Sequence, residues 1–189
     1  MDLAFVIGAS GPNAAANFAR MVTILKKMVD EYEVSESKTM LALVDYNGPA
    51  NVRVYFSGRY SKDNFKTVAE SIPGPGSLPG TLAGALKKVS EEVFTLKRGA
   101  RPFAEDILVV MTEGDFNENS SDIKTEILTL REKPVKVIVV TITDDPDKPG
   151  KDKFKQIASG GDLVVIPKPG TEEEEGEKLP YTATKGEFR

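Results

Sequence analysis

The stretch Gly8-Ala-Ser-Gly11 is the first place where residue types could do chemistry. A serine among glycines after a short apolar run suggests a nucleophile on a tight turn or a backbone cradle for phosphate. Spacing argues against both. Position 12 is Pro where a Gly-x-Ser-x-Gly elbow needs Gly, no Gly-Lys-Ser/Thr follows, and no G-x-G-x-x-G occurs. The chain contains no His and no Cys, so Ser-His-Asp and Cys-His mechanisms, thiolate zinc, iron–sulfur clusters and disulfides are excluded. A metal, if any, must then be a hard cation held by oxygen, meaning Mg, Ca or Mn. Asp144-Asp145-Pro-Asp147 hints at a calcium loop but lacks the twelve-residue spacing and its closing Glu. It reads as a solvated turn, and Lys151, Lys153 and Lys155 beside it as surface charge.

Such residues must be positioned by a scaffold, and 189 residues make about one domain. Composition is globular, with 40% hydrophobic and 29% charged residues. The apolar runs, such as Ile107 to Met111 and Val137 to Val140, are strand-sized, far short of the roughly 18 to 20 residues that cross a bilayer. No membrane insertion is expected, and no signal peptide is read before Asp2. Net charge is -4 without a basic, aromatic-interleaved stripe, so nucleic acid is not an expected partner.

Strands alternate with amphipathic helices. Leu3 to Ile7 reads as a strand buried on both faces. Phe18, Met21, Val22, Leu25, Met28, Val29 and Tyr32 then recur at steps of three and four, one sheet-facing helical stripe. Residues 39–46 and 52–57 flank Asn47-Gly48-Pro49 and predict an antiparallel hairpin, which places the second strand at a sheet edge. Helical spacing returns in Phe65, Val68 and Ile72 and again in Leu82, Leu86, Val89 and Val93. A strand over 106–112, a helix carrying Ile123, Ile127 and Leu130, a strand over 135–142, a short helix with Phe154 and Ile157, and a last strand over 163–166 follow. The fold class is α/β: a doubly wound, mostly parallel six-stranded sheet with one antiparallel edge strand and helices on both faces. Residues 1–167 form the domain, and 168–189, with the run Glu172 to Glu175, an acidic, flexible tail.

In such a sheet the ligand site lies at the carboxyl ends of the strands, where strand order reverses. Three loops should meet there: 8–13, 79–84 and 112–121. Their sequences resemble a von Willebrand factor type A domain, through Asp2-Leu-Ala-Phe-Val-Ile-Gly-Ala-Ser-Gly, Gly80-Thr-Leu-Ala-Gly-Ala-Leu and Leu108-Val-Val-Met-Thr-Glu-Gly114. Val93-Phe-Thr-Leu-Lys-Arg-Gly-Ala-Arg-Pro102 is similar to the A domains of matrilins and type VI collagen. The resemblance covers residues 2 to 166.

The resemblance implies a metal-ion-dependent adhesion site built from an Asp-x-Ser-x-Ser loop, a Thr loop and a Thr-Asp-Gly turn. This chain departs from that pattern. Gly8 stands where the first Asp should be, Ser10 matches the first Ser, and Pro12 replaces the second. Thr81 is the second-loop candidate, one residue short of the usual interval to Leu86. Glu113 replaces the Asp of the third loop, and Asp115 lies close by in sequence. The expectation is a degenerate site, with Ser10 and Thr81 capping helices and no cofactor. The alternative is a cation-dependent adhesion domain holding Mg, Ca or Mn on Ser10, Thr81 and Glu113.

Resemblance to matrix proteins implies a secreted, extracellular matrix or adhesion module that binds a matrix protein or collagen and is not an enzyme. A further alternative is an intracellular assembly scaffold of the same fold. Tyr55 and Tyr60, with Arg53 and Arg59, are candidate partner contacts, since Tyr and Arg are enriched in interfaces.

Overall fold

The computed structural model describes residues 1–9, 13–76, 80–113, 120–142, 157–159 and 163–166. Among the described residues there are six strands, β1 (Asp2–Ile7), β2 (Met40–Asp45), β3 (Asn51–Val54), β4 (Asp106–Glu113), β5 (Lys136–Ile142) and β6 (Leu163–Ile166). They form one sheet in the order β3-β2-β1-β4-β5-β6. Every pairing is parallel except β2 with β3. The α-helices are α1 (Ala14–Asp30), α2 (Lys62–Glu70), α3 (Leu82–Lys88) and α4 (Ser120–Glu132).

Strand alternation divides the core in two. Leu3, Phe5 and Ile7 of β1, with Ile107, Val109 and Met111 of β4, face α1 and α2. Ala4, Val6, Leu108 and Val110 face α3 and α4. Both faces of the central strands are therefore apolar, which is why they read as continuous hydrophobic runs.

The structure adjusts several expectations. On α1, Ile24 is fully buried and Val22 only half-buried, because the stripe that meets the sheet runs through Met21, Ile24, Leu25 and Met28. The residue at the cap position of α1 is Asn13, without a side-chain cap bond; Ser10, expected to cap this helix, lies outside the described residues. Strand β3 stops at Val54 because the chain turns at Phe56–Gly58 to bury the Phe56 ring, and Arg59 follows at φ +50°. Helix α3 continues through a π-helical turn, Val89–Val93, which carries Val89 and Val93 into the core. Ile157 is buried against the α3/α4 face. Phe154 and the expected tail lie outside the described residues.

Candidate functional site: the carboxyl edge of the sheet

Strand order reverses at β1, between β2 and β4, so the crevice that such sheets offer to ligands opens beyond Ile7 and Glu113. The carboxyl end of β2 delivers Tyr46 into it. This side chain is 5% exposed, and its hydroxyl donates to Thr112 Oγ1 at 2.7 Å. The Thr112 hydroxyl in turn donates to the Glu113 carbonyl at 3.2 Å. A Cβ added to Gly8 would meet the Tyr46 ring at 2.7 Å from Cγ and Cδ1. The aromatic ring thus occupies the space into which any side chain at position 8 would project.

Gly80 is constrained more tightly still. A Cβ there would fall 1.7 Å from the Tyr46 carbonyl oxygen and 2.3 Å from that of Gly48. The chain entering α3 therefore lies directly on the β2–β3 turn, an approach only glycine permits. Asn47 locks the same corner: its Oδ1 accepts the Ala9 N–H at 3.1 Å, and its Nδ2 donates to the Pro73 carbonyl at 2.9 Å. Sequence reasoning missed Tyr46 and Asn47. The available signal was an aromatic residue next to a turn at a strand's carboxyl end, yet its partner, a missing side chain 38 positions earlier, leaves no mark in local spacing.

The expected ligand positions have separate fates. Ser10, Pro12 and Asp115 lie outside the described residues, as does Asp144-Asp145-Pro-Asp147. Thr81 sits at the cap of α3, and its hydroxyl accepts the Gly84 N–H at 3.2 Å. Glu113 closes β4 and is buried. Among the described residues, no group of three or more acidic side chains is arranged to hold a metal.

The four candidate contact residues have separate neighbours. Arg53 pairs through Nε with the buried Asp45 carboxylate near the carboxyl edge. Arg59 and Tyr60 line a cleft of about 250 Å³ with Glu36, Met40, Leu41 and Phe56, where Arg59 pairs with Glu36 at 2.9 Å. Tyr55 instead donates to Glu92 Oε2 at 2.8 Å and carries Arg98 over its ring at 4.3 Å. Glu92 also accepts from Lys88 at 2.7 Å. Hydrogen bonds from Lys88 and Tyr55 hold the Glu92 carboxyl below its usual range, and the bond to Glu92 raises Lys88. Desolvation, then the Glu92 bond, raises the Tyr55 phenol. These groups form an ion-paired patch beside α3 and stand ready for no proton transfer near neutral pH.

A doubly wound sheet whose strand order reverses at β1 defines an open α/β fold. The von Willebrand factor type A domain model matches residues 2–172, and the chain belongs to that family. It is 25% identical over 142 residues, 75% of its length, to von Willebrand factor A domain-containing protein 2 of Homo sapiens, covering 18% of that protein. It is 28% identical over 118 residues, 60% of its length, to matrilin-3 of Gallus gallus, covering 26% of that protein. The collagen alpha-6(VI) chain of Homo sapiens matches at 21% identity over 141 residues, 75% of this chain and 6% of that one. The chain thus spans about a quarter or less of these relatives. Among solved structures, proximal thread matrix protein 1 from the mussel byssus superposes with a TM-score of 0.79 at 18% identity, over 96% of this chain and 46% of that one. That structure is described as having a zinc-occupied MIDAS motif.

Proposed function

We propose that this domain is a non-enzymatic protein-interaction module of a secreted extracellular matrix or adhesion protein, binding a matrix partner such as a collagen largely without a metal ion. Its relatives, among them a matrilin and a collagen VI chain, support the setting. One observation carries the metal-independent part: the Tyr46 ring lies where a side chain at position 8 would have to start. Position 8 contributes no carboxylate, and the Thr81 hydroxyl already accepts a backbone N–H. Divalent-cation affinity follows the charge and number of oxygen ligands, so this edge fits Mg, Ca or Mn poorly. Affinity for a partner then rests on apolar and aromatic anchors rather than on an ion bridging to an acidic residue. The case against catalysis rests on the absence of His and Cys from the whole chain and on Asp45 being committed to Arg53.

The test is a thermal melt of the chain with millimolar Mg, Ca or Mn, beside capture on immobilised collagens with and without EDTA. A cation present at a hundredfold its Kd would add about 2.7 kcal/mol, roughly 5 to 10 °C for a domain of this size. The expected outcome is an unchanged melting temperature and chelator-insensitive binding. A rise of several degrees would instead favour a cation-dependent domain, with Ser10, Thr81 and Glu113 as the candidate ligands.

A further inference from the structure

The opposite, amino edge of the sheet carries a second concentration of charge. Asp2 and Asp106 are register partners at the starts of β1 and β4. By alternation they share the face of Ala4, Val6, Leu108 and Val110. Asp2 is fully buried. Its carboxylate accepts the Arg101 backbone N–H at 2.6 Å and the Arg101 Nε–H at 2.8 Å. The outer nitrogens of the same guanidinium donate to the carbonyls of Met1, Glu36 and Lys38 at 2.6, 2.8 and 3.0 Å. Asp106 gets no such share: its Oδ1 is buried without a hydrogen-bond partner.

Other charges around Asp106 compensate little. The Met1 amino group donates to the Lys38 carbonyl, and the Lys133 ammonium to the carbonyls of Ser90 and Phe94. Glu105 adds a neighbouring carboxylate in sequence. Lys136, at the start of β5, falls on the other face by alternation, since Val137 packs with α3 and α4.

We propose that Asp2, Asp106 and Arg101 form a proton-operated clamp, in which protonation of Asp106 tightens the anchorage of the Arg101 loop and of the 36–38 turn held by its guanidinium. The physical reason is that the one guanidinium is committed to Asp2, so the neighbouring, half-buried Asp106 carboxyl, left beside a like charge, is held more cheaply as the neutral acid. Burial first, and the Asp2 charge second, push the Asp106 carboxyl up to about 6 from 3.8. A raised carboxyl means that the folded edge binds a proton the unfolded chain releases. The contribution of this carboxyl to stability therefore falls as pH rises from about 4 through 6 and levels off above.

The carboxyl resonance of Asp106, followed by NMR in the full chain, should titrate with a midpoint near 6; a midpoint below about 4.5 would overturn the clamp. The Arg101 amide, corrected for intrinsic exchange, should be better protected at about pH 5 than at about pH 7.5, and equal protection would also overturn it. Asp106→Asn should melt several degrees higher relative to wild type at the upper pH than at the lower, whereas a difference independent of pH counts against the proposal. The first two measurements need only the wild-type chain and decide the question even if the variant does not fold.

Discussion

At the scale of single residues, position 8 decides what the carboxyl edge can be. Gly8 is legible in the sequence as a departure from the family's Asp, and Thr81 and Glu113 are legible as the other loop positions. That the gap is filled by an aromatic ring is visible only in three dimensions. The Gly8/Tyr46 pair makes a double-mutant cycle informative. Gly8→Ala should cost about 1 to 3 kcal/mol in urea unfolding, because its new methyl meets a buried ring whose hydroxyl is held by Thr112. In a Tyr46→Ala background the same change should cost almost nothing. Equal penalties in the two backgrounds would mean that the ring does not set the size of residue 8.

Elements were the most legible level, for a physical reason. Strands buried on both faces write unbroken apolar runs, so β1, β4 and β5 announce themselves, and α1 writes a stripe at steps of three and four. Sequence is less informative where side-chain volume rather than periodicity sets the outcome. β3 stops early because Phe56 turns inward, and the α1 stripe is rotated enough to bury Ile24 in preference to Val22. Leu25 lies at the centre of that stripe with no exposure. Leu25→Ala should destabilise the domain by about 2 to 5 kcal/mol, with exposed Thr23→Ala within about 0.5 kcal/mol of wild type as control. A loss at Leu25 no larger than the control's would show that α1 does not pack on the sheet along this line.

Over the whole molecule, the two ends of the sheet are built on opposite principles. At the carboxyl edge, close packing around Tyr46 and the hydrogen bonds that Asn47 accepts from Ala9 and donates to Pro73 join loops that contribute little formal charge. At the amino edge, one guanidinium gathers chain segments far apart in sequence: Arg101 binds Asp2 and the carbonyls of residues 1, 36 and 38. Removing it would leave the Asp2 carboxylate, with no exposure, short of its countercharge. Arg101→Ala should therefore cost roughly 3 to 5 kcal/mol, the penalty for breaking one side of a buried ion pair. Arg101→Lys should recover only part of it, because an ammonium cannot reproduce the planar fork that reaches a carboxylate and three carbonyls together. Asp2→Asn added to Arg101→Ala should recover stability by removing the stranded charge, and urea unfolding of the four chains would read this directly. If the double variant were no more stable than Arg101→Ala alone, the amino edge would be held by the carbonyl bonds and not by the ion pair.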